Sequence, residues 1–126
     1  MKKTCPCNSS LSYTDCCGLY HRGRQNPSTA EALMRSRYSA YVLNDNAYLF
    51  KSWHSKTRPA RKSINTSQGC EWLGLKILRT EKGGENDDMG IVEFVATFVA
   101  DGKVEQRQEA SQFSREKGKW RYMDAL

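Results

Sequence analysis

Apolar residues are spread unevenly along the chain. Residues 1–27 are rich in Cys, Ser, Gly, Asn and Pro and show almost no apolar periodicity. Such a segment has little to bury and stays disordered unless something ties it down. Further on, Ala30, Leu33, Met34, Tyr38, Tyr41 and Val42 recur at spacings of three and four, the stripe of an amphipathic helix. Ser28, with Glu31 three residues on, predicts a capping box at its start. Arg35 and Arg37 lie off the stripe. They project about 200° apart, so they cannot share one helix face. Asn44-Asp45-Asn46 breaks the helix and can cap a second one carrying Ala47, Leu49, Phe50 and Trp53. That helix is expected to end near His54, ahead of Arg58-Pro59. A short third helix or irregular basic loop is expected from Ala60 to Asn65.

After Gly69 the period changes to two. Trp72 to Leu78 predicts a strand with Leu73, Leu75 and Ile77 on one face. Gly83-Gly84 and the acids after it predict a turn. Gly90 to Ala100 is the clearest strand, with Val92, Phe94, Ala96 and Phe98 alternating against Glu93 and Thr97. Asp101-Gly102 marks a tight hairpin. A more polar strand follows from Lys103 to Arg115, then a turn at Glu116-Lys117-Gly118. A last strand from Lys119 to Asp124 carries Trp120 and Tyr122. Helices followed by a meander of strands predict an α+β fold with the helices on one face of the sheet.

Bulk properties narrow the function. A chain of 126 residues can bury a real core. No stretch approaches the ~20 apolar residues that span a bilayer, so no membrane insertion is expected. Met-Lys-Lys opens like a signal peptide, but no apolar stretch follows, and a cytoplasmic protein is expected. The net charge is +6, which permits contact with nucleic acid or an acidic partner without demanding it. Lys51, Lys56, Arg58, Arg61 and Lys62 fall in one stretch without an acid. They form either a solvated loop or a basic rim that meets a phosphate or an acidic surface.

Four of the five cysteines, Cys5, Cys7, Cys16 and Cys17, lie within thirteen residues. In a cytoplasmic chain this clustering points to metal or redox chemistry before structural disulfides. Two close pairs separated by a loop can supply the tetrahedron that structural zinc prefers. Pro6 stiffens the first pair, and Ser9 and Ser10 can donate to sulfur. Lys2 and Lys3 can offset the charge of four thiolates. A metal would then supply the folding free energy that residues 1–26 lack. Other readings stand beside this one: a redox dithiol, a vicinal Cys16–Cys17 disulfide, or His21 in place of one thiolate. A closed four-ligand site has no open position for catalysis. Cys70 is expected to be a small buried apolar residue.

The run Cys5-Pro6-Cys7 through Cys16-Cys17-Gly18 resembles the SEC-C motif, with Asn8 and Ser10 standing where that family prefers glycine. The blocks Leu33 to Tyr41, Tyr48-Leu49, Trp53-His54, Glu71 to Leu75, Val92 to Ala96, Ser111-x-Phe113 and Trp120-x-Tyr122-x-Asp124 resemble the YchJ-like bacterial family. The resemblance covers nearly the whole chain. It implies a zinc-binding SEC-C segment over 1–26. Over 27–126 it implies a nuclear transport factor 2-like domain, a cone-like curved antiparallel sheet packed on helices. That family has no established biochemical role. A similar motif serves protein contacts in the translocation ATPase SecA, which is analogy only.

The leading functional expectation is a non-enzymatic, zinc-stabilised binding or adaptor protein. Its zinc loop would present Lys2, Lys3, Tyr13, Tyr20 and Arg22 to a protein partner. The alternative is a small-molecule binder or enzyme using the cone interior, with Arg35, Tyr38, Trp53, His54 and Asp124 as candidate pocket residues. Arg35 or Arg37 would pair with a carboxylate such as Asp124. His54 would be either a helix-end cation or half of an acid–base pair with Asp124 or Glu109. Trp72 and Trp120 are read as core. Nucleic-acid binding through Lys51 to Lys62 and homo-oligomer formation through the sheet are further expectations.

Overall fold

The computed structural model describes residues 4–64, 66 and 70–126. Lys2, Lys3, Asn65 and Gly69 therefore lie outside the described residues. A 3₁₀ turn at Tyr13–Asp15 leads into α1 (Cys17–His21), α2 (Ala30–Val42) and α3 (Asn46–Lys51), and a second 3₁₀ turn sits at Arg61–Ser63. Then come β1 (Cys70–Lys82), β2 (Met89–Ala100), β3 (Lys103–Glu116) and β4 (Lys119–Ala125). The strands form one curved antiparallel meander in the order β1-β2-β3-β4. The fold is α+β, as the pattern predicts.

The cap of α2 differs from the expected one. Thr29, not Ser28, is the N-cap, and its hydroxyl accepts from Ala32 N at 3.1 Å. Ser28 is instead held by its carbonyl, which accepts from Trp120 Nε1 at 3.2 Å. Glu31 falls one position short of closing a capping box and pairs with Arg35 one turn on, at 3.0 Å. Asp45 caps α3 by accepting from Tyr48 N. That helix ends at Lys51, so His54 lies beyond its last turn.

The stripe on α2 packs into the concave face of the sheet. Leu33, Met34 and Tyr38 join Leu75, Val92, Phe94, Phe113 and Trp120 in one buried cluster. Leu73 does not share the face of Leu75 and is half exposed. A bulge explains it: Trp72 pairs with Phe98 and Gly74 with Thr97, leaving Leu73 as the extra residue. That insertion shifts the alternation and puts Trp72 rather than Leu73 against the core. Gly83 and Gly90 let the first hairpin close, since a Cβ on Gly90 would sit 2.5 Å from Gly83 Cα.

The outer edge of β4 is covered. Tyr122 N donates to Ser52 O, and His54 N donates to Tyr122 O, at 2.9 and 2.8 Å. The segment after α3 thus acts as a short extra strand on an otherwise open edge. Among the described residues, no helix is long and apolar enough to cross a membrane.

Candidate metal centre

The first cysteine pair lies on a small loop. Thr4 bridges to Ser12, Cys5 N donates to Leu11 O at 2.7 Å, and Asn8 N donates to Cys5 O at 3.2 Å. Closing so tight a loop requires left-handed backbone at Asn8 (φ 66) and Ser10 (φ 72). These are the two positions where the SEC-C motif prefers glycine. The second pair enters through the 3₁₀ turn, with Cys16 ahead of α1 and Cys17 as its first residue. Gly18 follows because a Cβ there would lie 2.6 Å from the carbonyl oxygen of Tyr13.

The loop and the turn bring Cys5, Cys7, Cys16 and Cys17 together, with all four sulfurs within 4.8 Å of one another. Cys5, Cys7 and Cys17 are buried and Cys16 is partly exposed. A tetrahedral site with metal–sulfur bonds of about 2.3 Å has sulfur–sulfur edges of about 3.8 Å. Cys7 and Cys16 stand 3.7 Å apart. All five cysteines are free thiols, so Cys16 and Cys17 are not joined to each other. Cys70 is half buried at the start of β1.

Four thiols this close cannot all ionise unaided. Hydrogen bonds from Cys17 and Cys7 hold the Cys5 thiol far below its ordinary range. Cys17 is pushed far up, because it donates to Cys5 and Cys7 and is buried. Burial also raises Cys16. The cluster favours an early thiolate at Cys5 and penalises ionisation of Cys16 and Cys17, a penalty that a bound divalent cation removes.

Polar groups around the sulfurs come from the loop and from α2. Ser9 Oγ lies 3.1 Å from Cys16 Sγ, and Ser39 Oγ lies 3.5 Å from Cys5 Sγ. Ser10 is exposed and makes no such contact. Arg35 Nη1 donates to the carbonyl of Cys7 at 2.7 Å. The roles of Ser39 and Arg35 had no signal in the sequence, because both depend on how the segment seats on α2.

His21 does not join the sulfurs. Its Nε2 donates to Ser36 O at 2.8 Å, and its Nδ1 accepts from Tyr13 OH at 2.6 Å. The ring also packs on Tyr48, with centroids 4.6 Å apart. Both nitrogens are thus occupied, one tying α1 to α2 and the other to the 3₁₀ turn. Tyr13 and Tyr20, expected on the partner surface, are only partly exposed. Tyr13 serves His21, and Tyr20 packs beside Tyr48 and Leu49. Arg22 is exposed, as is Leu11.

The five candidate pocket residues are dispersed. Arg35 sits beside the cysteines. Tyr38 lines a cleft of about 270 Å³ between α2 and the sheet, together with Tyr41, Trp72, Phe94 and Glu109. Trp53 lines an adjoining cavity of about 90 Å³ with Arg37 and Ser111. His54 is buried behind β4, where its Nδ1 accepts from Lys56 N and stands 4.0 Å from Glu116. Asp124 is exposed and accepts from Ala125 N. The expected His54–Asp124 pair is not assembled, nor a pair with Glu109, whose carboxylate accepts from Ser111. Arg37, not Arg35, is the buried arginine. It donates to Leu49 O and Ser52 Oγ at 2.9 and 2.7 Å and lies over the rings of Trp53 and Tyr122. No carboxylate among the described residues reaches it, and burial pushes its pKa down to about 10.

The family model for the middle NTF2-like domain of YchJ matches residues 29–125. A UPF0225 protein of Chromobacterium violaceum is 43% identical over 127 residues, covering 99% of this chain and 93% of that protein. Another from Streptomyces coelicolor is 45% identical over 120 residues, covering 95% of this chain and 92% of that one. Among solved structures, a SEC-C motif containing protein from Rhodopseudomonas palustris superposes with a TM-score of 0.83 at 29% identity, covering 100% of this chain and 98% of that one. A SEC-C motif containing protein from Psychrobacter arcticus superposes with a TM-score of 0.79 at 27% identity, over 97% and 81% of the two chains.

Proposed function

Because this chain belongs to the UPF0225 family and carries the YchJ-type NTF2-like domain, we propose that it is a zinc-stabilised binding or adaptor protein. Cys5, Cys7, Cys16 and Cys17 hold one zinc ion. The observation that carries this reading is the convergence of four thiol sulfurs within 4.8 Å. An all-sulfur tetrahedron suits zinc among the common metals of a cell, and it is closed, so the metal shapes the loop rather than acting on a substrate. His54 and Asp124 each have other partners and do not form the pair that the enzyme alternative invokes.

The loop that zinc shapes places Leu11 in the open, 54% exposed, and Arg22 of the same segment is exposed as well. A protein partner docks on that surface. Elemental analysis of the purified protein tests the metal. One zinc per chain, with the cysteine thiols becoming reactive only after chelation, supports the reading. Protein without metal, or with Cys16 and Cys17 oxidised, sinks it and restores redox chemistry.

A second reading rests on Trp53. Its Nε1 is buried and has no hydrogen-bond partner among the described residues. It lines the same cavity as the carboxylate-free Arg37. One unanswered donor, beside a buried guanidinium that has neutral acceptors but no carboxylate, in a cavity opening toward an aromatic cleft favours a small molecule that brings an acceptor. Saturable quenching of tryptophan fluorescence by a small aromatic carboxylate, lost in Trp53→Phe, would raise this reading above the first.

A further inference from the structure

The basic stretch Lys51 to Lys62 is only half of a larger feature. Lys51 and Arg58 face a cleft of about 480 Å³ whose other wall carries Lys117, Lys119 and Arg121 from the far end of the chain. Glu116 is the carboxylate in that lining. It is already engaged, since it accepts from both the backbone N and the hydroxyl of Ser55. Five cations therefore share one concavity with one committed acid.

Two of those cations are held in place. The Arg58 guanidinium stacks on Phe50, 4.1 Å from the ring centroid, which leaves its N–H edge free. Arg121 Nη1 donates to Trp120 O at 2.9 Å, which fixes the fork while its other donors stay open. Guanidinium groups positioned this way bind phosphate oxygens in pairs. Lys117 adds a further cation to the lining. It occupies a left-handed position (φ 53) ahead of Gly118 (φ 81) in the β3–β4 turn. Asn or Gly suits that position far better than Lys. Lys82 takes the same left-handed conformation (φ 52) ahead of Gly83 outside this cleft, so Lys117 bears on the cleft through its charge in the lining.

We propose that this cleft binds a compact oligophosphate, such as the diphosphate group of a small molecule. A bounded cleft of this volume matches a small ligand better than an extended strand. Single-stranded nucleic acid binding also wants open aromatic faces for the bases, and here the face of Phe50 is covered by Arg58.

The test titrates inorganic pyrophosphate into the metal-loaded full chain and follows backbone amide shifts. Saturable shifts at Ser55, Lys119 and Arg121 are expected. Lys119→Glu should weaken binding by about tenfold or more, because it replaces an attraction with a repulsion. Lys117→Asn should weaken it severalfold while raising the melting midpoint, which a purely structural lysine would not do. Pyrophosphate also chelates metals. If it perturbs wild type and Lys119→Glu equally, or if sulfate at matched ionic strength gives the same shifts, the proposal is overturned. Binding of a single-stranded RNA oligomer without binding of pyrophosphate overturns it too.

Discussion

Ser10 shows what a single residue contributes to the candidate metal centre. A left-handed backbone costs an L-residue about 1–2 kcal/mol. Asn8 bears that conformation with less strain, because its short amide suits it, and its Nδ2 lies over Gly74. Ser10 has no such relief. Ser10→Gly should therefore stabilise the loop by about 0.5–1 kcal/mol, the relieved strain less the extra entropy that glycine loses on folding. Asn8→Gly should gain less. Urea denaturation of the metal-loaded protein, with a chelator competition for zinc affinity, measures both. Equal or opposite effects would mean that the loop does not hold the two residues as described. The positions themselves were legible in the sequence, because the motif marks where glycine belongs. The two arginines were half legible. Helical geometry alone separates Arg35 from Arg37, and they do face different neighbours. What was hidden is that the guanidinium buried between α2 and α3 takes neutral acceptors and aromatic rings instead of a carboxylate. That choice is made by residues distant in the chain.

At the level of elements, the period of the pattern identified α2 and all four strands, and the ends were where it slipped. The spacing to Glu31 points to Ser28 as the cap, but its neighbour Thr29 carries a hydroxyl that can do the same. The choice falls to tertiary structure, because Trp120 claims the carbonyl of Ser28 through its indole N–H. Thr29→Ala should cost about 1 kcal/mol in urea unfolding. Ser28→Ala should cost close to nothing, since only its backbone is used. The reverse order would move the helix start by one residue. The bulge at Leu73 was invisible for a related reason. A period-two reading assumes unbroken alternation, and one inserted residue exchanges the faces of everything before it. Turns were easier. Asp101-Gly102 and Lys117-Gly118 pair a positive-φ residue with glycine, and the second glycine is enough to mark them.

The whole molecule turns on α2, which works on both sides. One side packs Leu33, Met34 and Tyr38 onto the sheet. The other receives the N-terminal segment through Ser39 at Cys5, Arg35 at Cys7 O and Ser36 O at His21. The two sides differ in what stabilises them. The sheet side is a continuous apolar cluster that owes nothing to a metal. The N-terminal side rests on a few polar contacts around sulfur and on the packing of Tyr20 and His21 against Tyr48, too little to order residues 4–26 against chain entropy. Removing the metal should therefore release residues 4–26 and leave 27–126 folded. Chelation of the wild type, and Cys16→Ser without chelation, should each collapse the amide shifts of that segment to unfolded values. The β1–β4 resonances and the slow hydrogen exchange of the Val92 and Phe113 amides should persist. If the sheet melts together with the segment, the chain is one cooperative unit, and the metal stabilises the fold as a whole rather than shaping a separable loop. The contacts through Tyr13, His21 and Tyr48 make that outcome measurable rather than remote. They link the segment to the second core cluster, so the exchange of amides in α3 will show how far the loss of metal travels.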